Sequence, residues 1–179
     1  MNDLFFDLET QKSFQEVGGR DAERIKLLRL SIAVTFSTTT NEFKSYTEQE
    51  AGALIADLRA AERVIGFNLL NFDYQVLKAY TAERLSDLPT VDMLEDIYNI
   101  LGFRVGLDAL ANATLNANKI GDGLGAIRWY REGKIDALIA YCREDVALTK
   151  KLYDYGRDNK CVYYVDKFGT RKRVNVNWK

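Results

Sequence analysis

The segment Phe5-Phe6-Asp7-Leu8-Glu9-Thr10 runs from two aromatics straight into two carboxylates one residue apart. On a strand, successive side chains point to opposite faces, so Asp7 and Glu9 share one face and Leu8 takes the other. Like charges at that spacing repel unless something positive sits between them. A divalent cation meets that need, because Mg²⁺ takes oxygen ligands and is held by one or two carboxylates plus substrate phosphate. A strand end entering solvent would carry the same pair idly, and the hexapeptide alone does not separate the two readings.

Two further stretches carry residues of the same chemistry. Asp73 lies in GFNLLNFDYQVL, residues 66–77, near the start of a helix that follows a buried strand, with Asn68 and Asn71 on the approach. An Asp there could serve only the helix dipole, yet Phe72, Tyr74, Val76 and Leu77 surround it with apolar bulk. In YCREDVALTKKLYDYG, 141–156, Tyr141 and Asp145 are four apart and so lie one helical turn apart on one face. Asp145 interrupts the apolar rhythm of Ile139, Ala140, Val146 and Leu148. A carboxylate beside a core-facing stripe is paired or metal-bound, and Arg143 and Lys150 are the local pairing alternatives. Histidine is absent, which excludes a His base or His ligand from this chain. Cys142 and Cys161 form no CxxC spacing, so neither a zinc site nor a disulfide framework is expected.

The elements that must position these residues alternate along the chain. Residues 3–8 read as a buried strand, 28–37 as a second with alternating polarity, and 42–46 as a third. Thr47 and Glu50 make a T-x-x-E capping box that opens a helix with Ala51, Leu54, Ile55 and Leu58 on one face. Residues 63–68 read as a short buried strand and Phe72 to Tyr80 as helical, before Pro89 marks a break. Short helices are expected over 93–101 and 106–115, and a loop over 116–127, which holds three glycines. A long helix follows from about Lys134 to Tyr155, closed by Gly156 in the C′ position. Two β-rich runs around Phe168-Gly169-Thr170 read as a hairpin. A meander of strands followed by strand–helix units argues for an α/β domain around a mixed sheet.

At 179 residues the expectation is one domain, 1–179, with the hairpin of 156–179 appended. Apolar residues at 47% and charged residues at 28% exclude a disordered chain. The opening residues lack a basic, then long apolar, signal pattern, and no run reaches the ~18 apolar residues of a membrane span. With few cysteines, a reducing, cytoplasmic setting is the expectation. Gly156 to Lys179 carries seven basic and two acidic residues, net +5, so the rest of a chain of total charge −1 carries −6. A basic, aromatic-bearing tail on an acidic body points to polyanion contact or to a solvated hairpin.

D-x-E-T at Asp7 to Thr10, N-x-x-x-F-D at Asn68 to Asp73 and Y-x-x-x-D at Tyr141 to Asp145 together resemble the three motifs of the DnaQ-like 3′–5′ exonucleases. The tyrosine places the chain with the DEDDy subgroup. GFNLLNFD is similar to the second motif of family B DNA polymerase proofreading domains, and WYREGKIDALIAYCREDVALTKKLYDYG to stand-alone exonuclease domains of the ribonuclease H-like superfamily. The resemblance implies a mixed five-stranded sheet flanked by helices, with a C-terminal hairpin. It implies a nuclease with two divalent metal ions, Mg²⁺ or Mn²⁺, acting on nucleic acid, foremost the 3′ ends of single-stranded DNA, in settings such as DNA repair. RNA as substrate, or a non-catalytic nucleic-acid-binding domain of the same fold, are the alternatives, and no membrane is involved. By that analogy Asp7, Glu9 and Asp145 hold one metal, Asp7 bridges to the second, and Asp73 acts largely through water. Tyr141 orients the attacking water. Leu8 and Thr10 grip the terminal nucleotide, Asn68 and Phe72 wall its pocket, and Asp92 and Lys119 are secondary contacts or plain surface polar residues.

Overall fold

The computed structural model describes residues 2–117 and 123–178. Lys119 falls outside the described residues. The chain opens with β1 (Asp3–Thr10), the short helices α1 (Phe14–Val17) and α2 (Ala22–Ile25), and the strands β2 (Leu30–Ser37) and β3 (Glu42–Thr47). Then come α3 (Ala51–Ala60), β4 (Arg63–Gly66), α4 (Tyr74–Leu77), β5 (Thr90–Asp92), α5 (Met93–Leu101) and α6 (Leu107–Leu115). The helices α7 (Gly123–Arg131) and α8 (Ile135–Asn159) precede the hairpin strands β6 (Cys161–Val165) and β7 (Arg171–Asn175). Among the described residues, five strands form one mixed sheet in the order β3-β2-β1-β4-β5, and β6 with β7 forms a second. The strand β1 is central, antiparallel to β2 and parallel to β4.

Alternation along β1 sorts its side chains between the two faces of that sheet. Leu4, Phe6 and Leu8 pack on one side with Leu54, Leu58, Tyr74 and Leu77. Phe5 packs on the other with Val146, Leu152 and Tyr153 of α8, its ring 5.4 Å from Tyr153 edge to face. Both faces are covered, so β1 reads as a continuous apolar run until Asp7. Asp7 and Glu9 follow Phe5 by two and four residues and therefore turn toward the α8 side. The β1–β2 register slips at that point: Glu9 faces Ile32, but Thr10 faces Leu30. This bulge lies at the end of the strand that carries the carboxylates, where a bulge re-aims side chains.

Several boundaries differ from the sequence expectations. The second strand starts at Leu30, because residues Lys26–Leu28 form a 3₁₀ turn. The fourth stops at Gly66, because Asn68 adopts a left-handed conformation, φ 72°, and opens a π-helical turn over Leu69–Asp73. The helix after it is confined to Tyr74–Leu77. Of the expected loop over 116–127, residues 118–122 lie outside the described residues, and α7 begins at Gly123. The long helix runs past Gly156 to Asn159 and ends on Lys160, φ 58°. Gly156 is interior because a Cβ there would lie 2.3 Å from Trp178, so its role is close packing rather than termination. The Thr47–Glu50 capping box is present, although the turn it opens is 3₁₀ before α3 begins. Among the described residues, no helix is long and apolar enough to cross a membrane.

Candidate metal and nuclease site

One carboxylate oxygen from each of Asp7, Glu9 and Asp145 lies within 4.8 Å of the other two. The β1 strand delivers the first two residues and α8, packed across it, delivers the third. Asp145 is buried while Asp7 and Glu9 are half-buried. Of the basic residues near Asp145 in sequence, Lys150 reaches Asp154 at 2.6 Å and the Arg143 guanidinium lies 4.3 Å over the Phe43 ring. Tyr141 is buried one turn before Asp145, and its ring meets Trp129 of α7 edge to face at 5.7 Å. Cys142 lies between Tyr141 and Asp145 in the chain, and its Sγ donates to the Asp7 carbonyl at 3.4 Å and contacts Asp7 Oδ2 at 3.6 Å. Burial, then the charges of Asp7, Glu9 and Asp145, push the Cys142 thiol well up. As a thiol it is a donor to Asp7.

Asp73 adjoins the trio through the backbone of β1. It is buried, and its Oδ1 accepts the backbone N–H of Leu8 at 3.2 Å. Burial raises its pKa well above the ordinary carboxylate range, and the charges of Asp7 and Asp92 add to the effect. The π-helical turn that presents it is fastened by Asp92, which is buried and not the surface polar residue that was one reading of the sequence. Its Oδ1 accepts from the N–H of Asn68 at 2.8 Å, and its Oδ2 from that of Leu70 at 3.0 Å. The same carboxylate caps α5 through the N–H groups of Leu94 and Glu95. One side chain thus joins two backbone segments next to the site.

Two clefts open onto the trio. A larger one of about 610 Å³ is lined by Asp7, Glu9, Thr10, Phe72, Tyr141 and Asp145, with Leu8 among its other walls. The Leu8 side chain is otherwise part of the core, and the Thr10 hydroxyl donates to the Lys12 carbonyl at 3.0 Å. A smaller cleft of about 310 Å³ has Asp7, Asn68, Asp108 and Asp145 in its wall. Asn68 accepts at Oδ1 from Arg104 Nη2, 2.6 Å away. Phe72 and Phe14 lie ring to ring at 5.8 Å, with the Arg20 guanidinium 4.6 Å over Phe14. Phe14, Arg20, Lys12 and Asp108 were not anticipated from the sequence. The S-x-x-E box of Ser13 and Glu16, which caps α1, was the readable signal that a helix starts beside Thr10.

A mixed five-stranded sheet whose central strand and last long helix converge on a carboxylate trio defines an RNase H-like α/β protein. A model of the RNase H superfamily matches residues 4–156, and the chain belongs to that superfamily. Among solved structures, the family B DNA polymerase of the hyperthermophilic archaeon Pyrobaculum calidifontis is similar, with a TM-score of 0.63 at 16% identity. The likeness covers 87% of this chain and 24% of the polymerase, so the chain spans about a quarter of that protein, and at such identity the likeness is one of fold. No curated protein sequence matches this chain significantly.

Proposed function

We propose that the chain is a 3′–5′ exonuclease that hydrolyses phosphodiester bonds at the 3′ ends of single-stranded DNA and releases nucleoside 5′-monophosphates. The observation that carries this reading is the Asp7, Glu9 and Asp145 trio, within 4.8 Å, in a cleft it shares with Tyr141. The donor set is all oxygen, which fits Mg²⁺ or Mn²⁺ and not a soft metal. Asp7, Glu9 and Asp145 would hold one ion, and Asp7 with Asp73 would take part in binding a second. When bound, these ions supply Lewis acidity toward the scissile phosphate and lower the pKa of the attacking water.

The chain's own residues then have distinct tasks. Tyr141, on the face of α8 that bears Asp145, orients the water through its hydroxyl. Phe72 and Phe14 offer apolar walls to the terminal base, and Thr10 and Leu8 border it from the strand end. Arg20 and Lys12 line the same cleft and supply positive charge for the phosphate. Attack at the 3′ end is supported by the order of the three motifs, which resembles that of the DnaQ-like enzymes.

The test is product analysis on 5′-labelled single-stranded and duplex DNA, with RNA of matching sequence, in Mn²⁺. The expected result is a ladder shortening from the 3′ end of single-stranded DNA. Asp145→Asn or Asp73→Ala should slow it by about two orders of magnitude or more, since metal-assisted charge stabilisation amounts to several kcal/mol and each ~1.4 kcal/mol is tenfold. Folded wild-type protein that degrades neither polymer from the 3′ end would sink the proposal, and a preference for RNA would change its substrate.

A further inference from the structure

The hairpin β6–β7 begins after residue 156, where the superfamily match ends, and it walls a cleft of its own. That cleft, about 500 Å³, is bounded by Phe103, Arg104, Tyr164, Lys167 and Phe168 among others. We propose that it is a second nucleic-acid subsite, taking unpaired nucleotides of a strand whose 3′ end lies at the carboxylate trio. The proposal rests on the nuclease reading above.

The aromatic surface is built for presentation rather than packing. Phe168 is 79% exposed and Phe103 47% exposed. Phe103 meets Tyr164 edge to face at 5.7 Å, and the Lys167 ammonium lies 5.1 Å from the Phe168 ring centre. The tip that carries Phe168 is held by its own backbone. Asp166 N–H donates to Thr170 O at 2.9 Å, and Gly169 N–H donates to Asp166 O at 3.0 Å with Gly169 at φ 78°. The carboxylate of Asp166 accepts from the N–H groups of Phe168 and Thr170, both at 2.9 Å, and faces Lys172 at 3.6 Å. The acid in the cleft is therefore spent on the turn, and Arg104 and Lys167 set the charge offered to a ligand. A large apolar ring fixed in water on a preorganised turn has no core to serve.

Charge and stacking together select the occupant. The segment from Gly156 to Lys179 has a net charge of +5, and Arg171, Lys172 and Arg173 are all exposed. Phosphates answer the cations, and bases stack on aromatic faces regardless of sequence. A duplex keeps its base faces within its own stack, so the geometry selects single strands. The loop between α5 and α6 supplies the connection to the trio. Arg104 lines this cleft and donates to Asn68 beside the site, while Gly106 lines both this cleft and the small one that contains Asp7 and Asp145.

Fluorescence anisotropy of labelled oligothymidylates in EDTA tests the subsite without cleavage. A long oligomer should bind the Lys167→Ala/Phe168→Ala protein about tenfold more weakly than wild type, and Phe168→Trp should retain affinity. In Mn²⁺, KM for the long oligomer should rise by the same factor with kcat unchanged. A parallel oligouridylate arm separates DNA from RNA as the source of the strand. Equal binding of the long oligomer by wild type and double variant overturns the subsite while leaving the nuclease reading intact. Displacement by duplex DNA or polyglutamate as effective as by single strands overturns it too, since stacking would then play no part. Phe168-dependent binding without degradation in Mn²⁺ would uphold the subsite and refute the nuclease.

Discussion

Glu48 gathers more of the strand end than its position in a surface turn suggests. Its carboxylate accepts from Gln11 Nε2, Tyr80 OH and Arg29 Nε, each at 2.7 Å. Tyr80 OH also accepts the N–H of Leu30, and Gln11 Nε2 also donates to Leu30 O at 2.8 Å. These contacts close the end of β1 at the bulge, immediately after Glu9 and Thr10. Burial opposes ionisation of Glu48, but the hydrogen bonds from Tyr80, Gln11 and Arg29 outweigh it and hold its pKa below the ordinary value. The folded state therefore binds fewer protons than the unfolded chain in that window. The contribution is fully present above the unfolded Glu value of about 4.3 and is lost as pH falls through the lower folded value. Glu48→Ala should cost about 1–3 kcal/mol at neutral pH. Denaturant melts of both proteins from neutral pH to below pH ~4 should show the gap closing; a gap that persists undiminished in acid would show that packing, not charge, holds this corner.

At the scale of elements, the residues that announce themselves by type were legible and those that act by contact were not. The Phe5 to Thr10 strand, the Tyr141/Asp145 helix and the Thr47–Glu50 box follow from local periodicity and capping chemistry. Gly156 did not: a glycine near the end of a helical pattern signals a C′ cap, but Trp178, 22 residues later in the chain, presses on it. Asp92 was equally opaque, since the amides it accepts lie on a turn that only the tertiary fold brings near. The α7 helix was hidden by glycines that lower its propensity, while Ala126 and Trp129 find tertiary contacts that favour it. Trp178 stacks on Tyr153 at 5.9 Å and donates from Nε1 to Asp96 Oδ2 at 3.1 Å, so its ring has little room to retreat. Gly156→Ala, which would place a methyl 2.3 Å from that ring, should cost about 1–3 kcal/mol despite alanine's better helix propensity. Thermal melts should show a drop of about 2–4 °C for each kcal/mol. Stabilisation instead would mean that helix propensity outweighs the packing.

The whole molecule couples its stability to its site. The sheet and α8 form around a core that brings Asp7, Glu9 and Asp145 together, and ionised carboxylates at such range disfavour one another. A cation that binds this trio does so only in the folded chain, because the two elements that contribute ligands are far apart in sequence. Binding to the folded state alone adds about 2.7 kcal/mol when the ion is at a hundred times its dissociation constant. For a chain of this length that corresponds to a rise of about 5–11 °C in Tm. Mn²⁺ titration followed by calorimetric melts should therefore show a concentration-dependent increase, with no saturable increase for Asp145→Asn. The variant should also melt higher than wild type in EDTA, because one of the clustered charges is gone while the side chain keeps its shape. Both increases arise from relief of repulsion within one cluster. A variant that lost the metal response yet melted lower in EDTA would mean that Asp145 holds the fold through polar partners, and that the trio's repulsion is not what metal relieves.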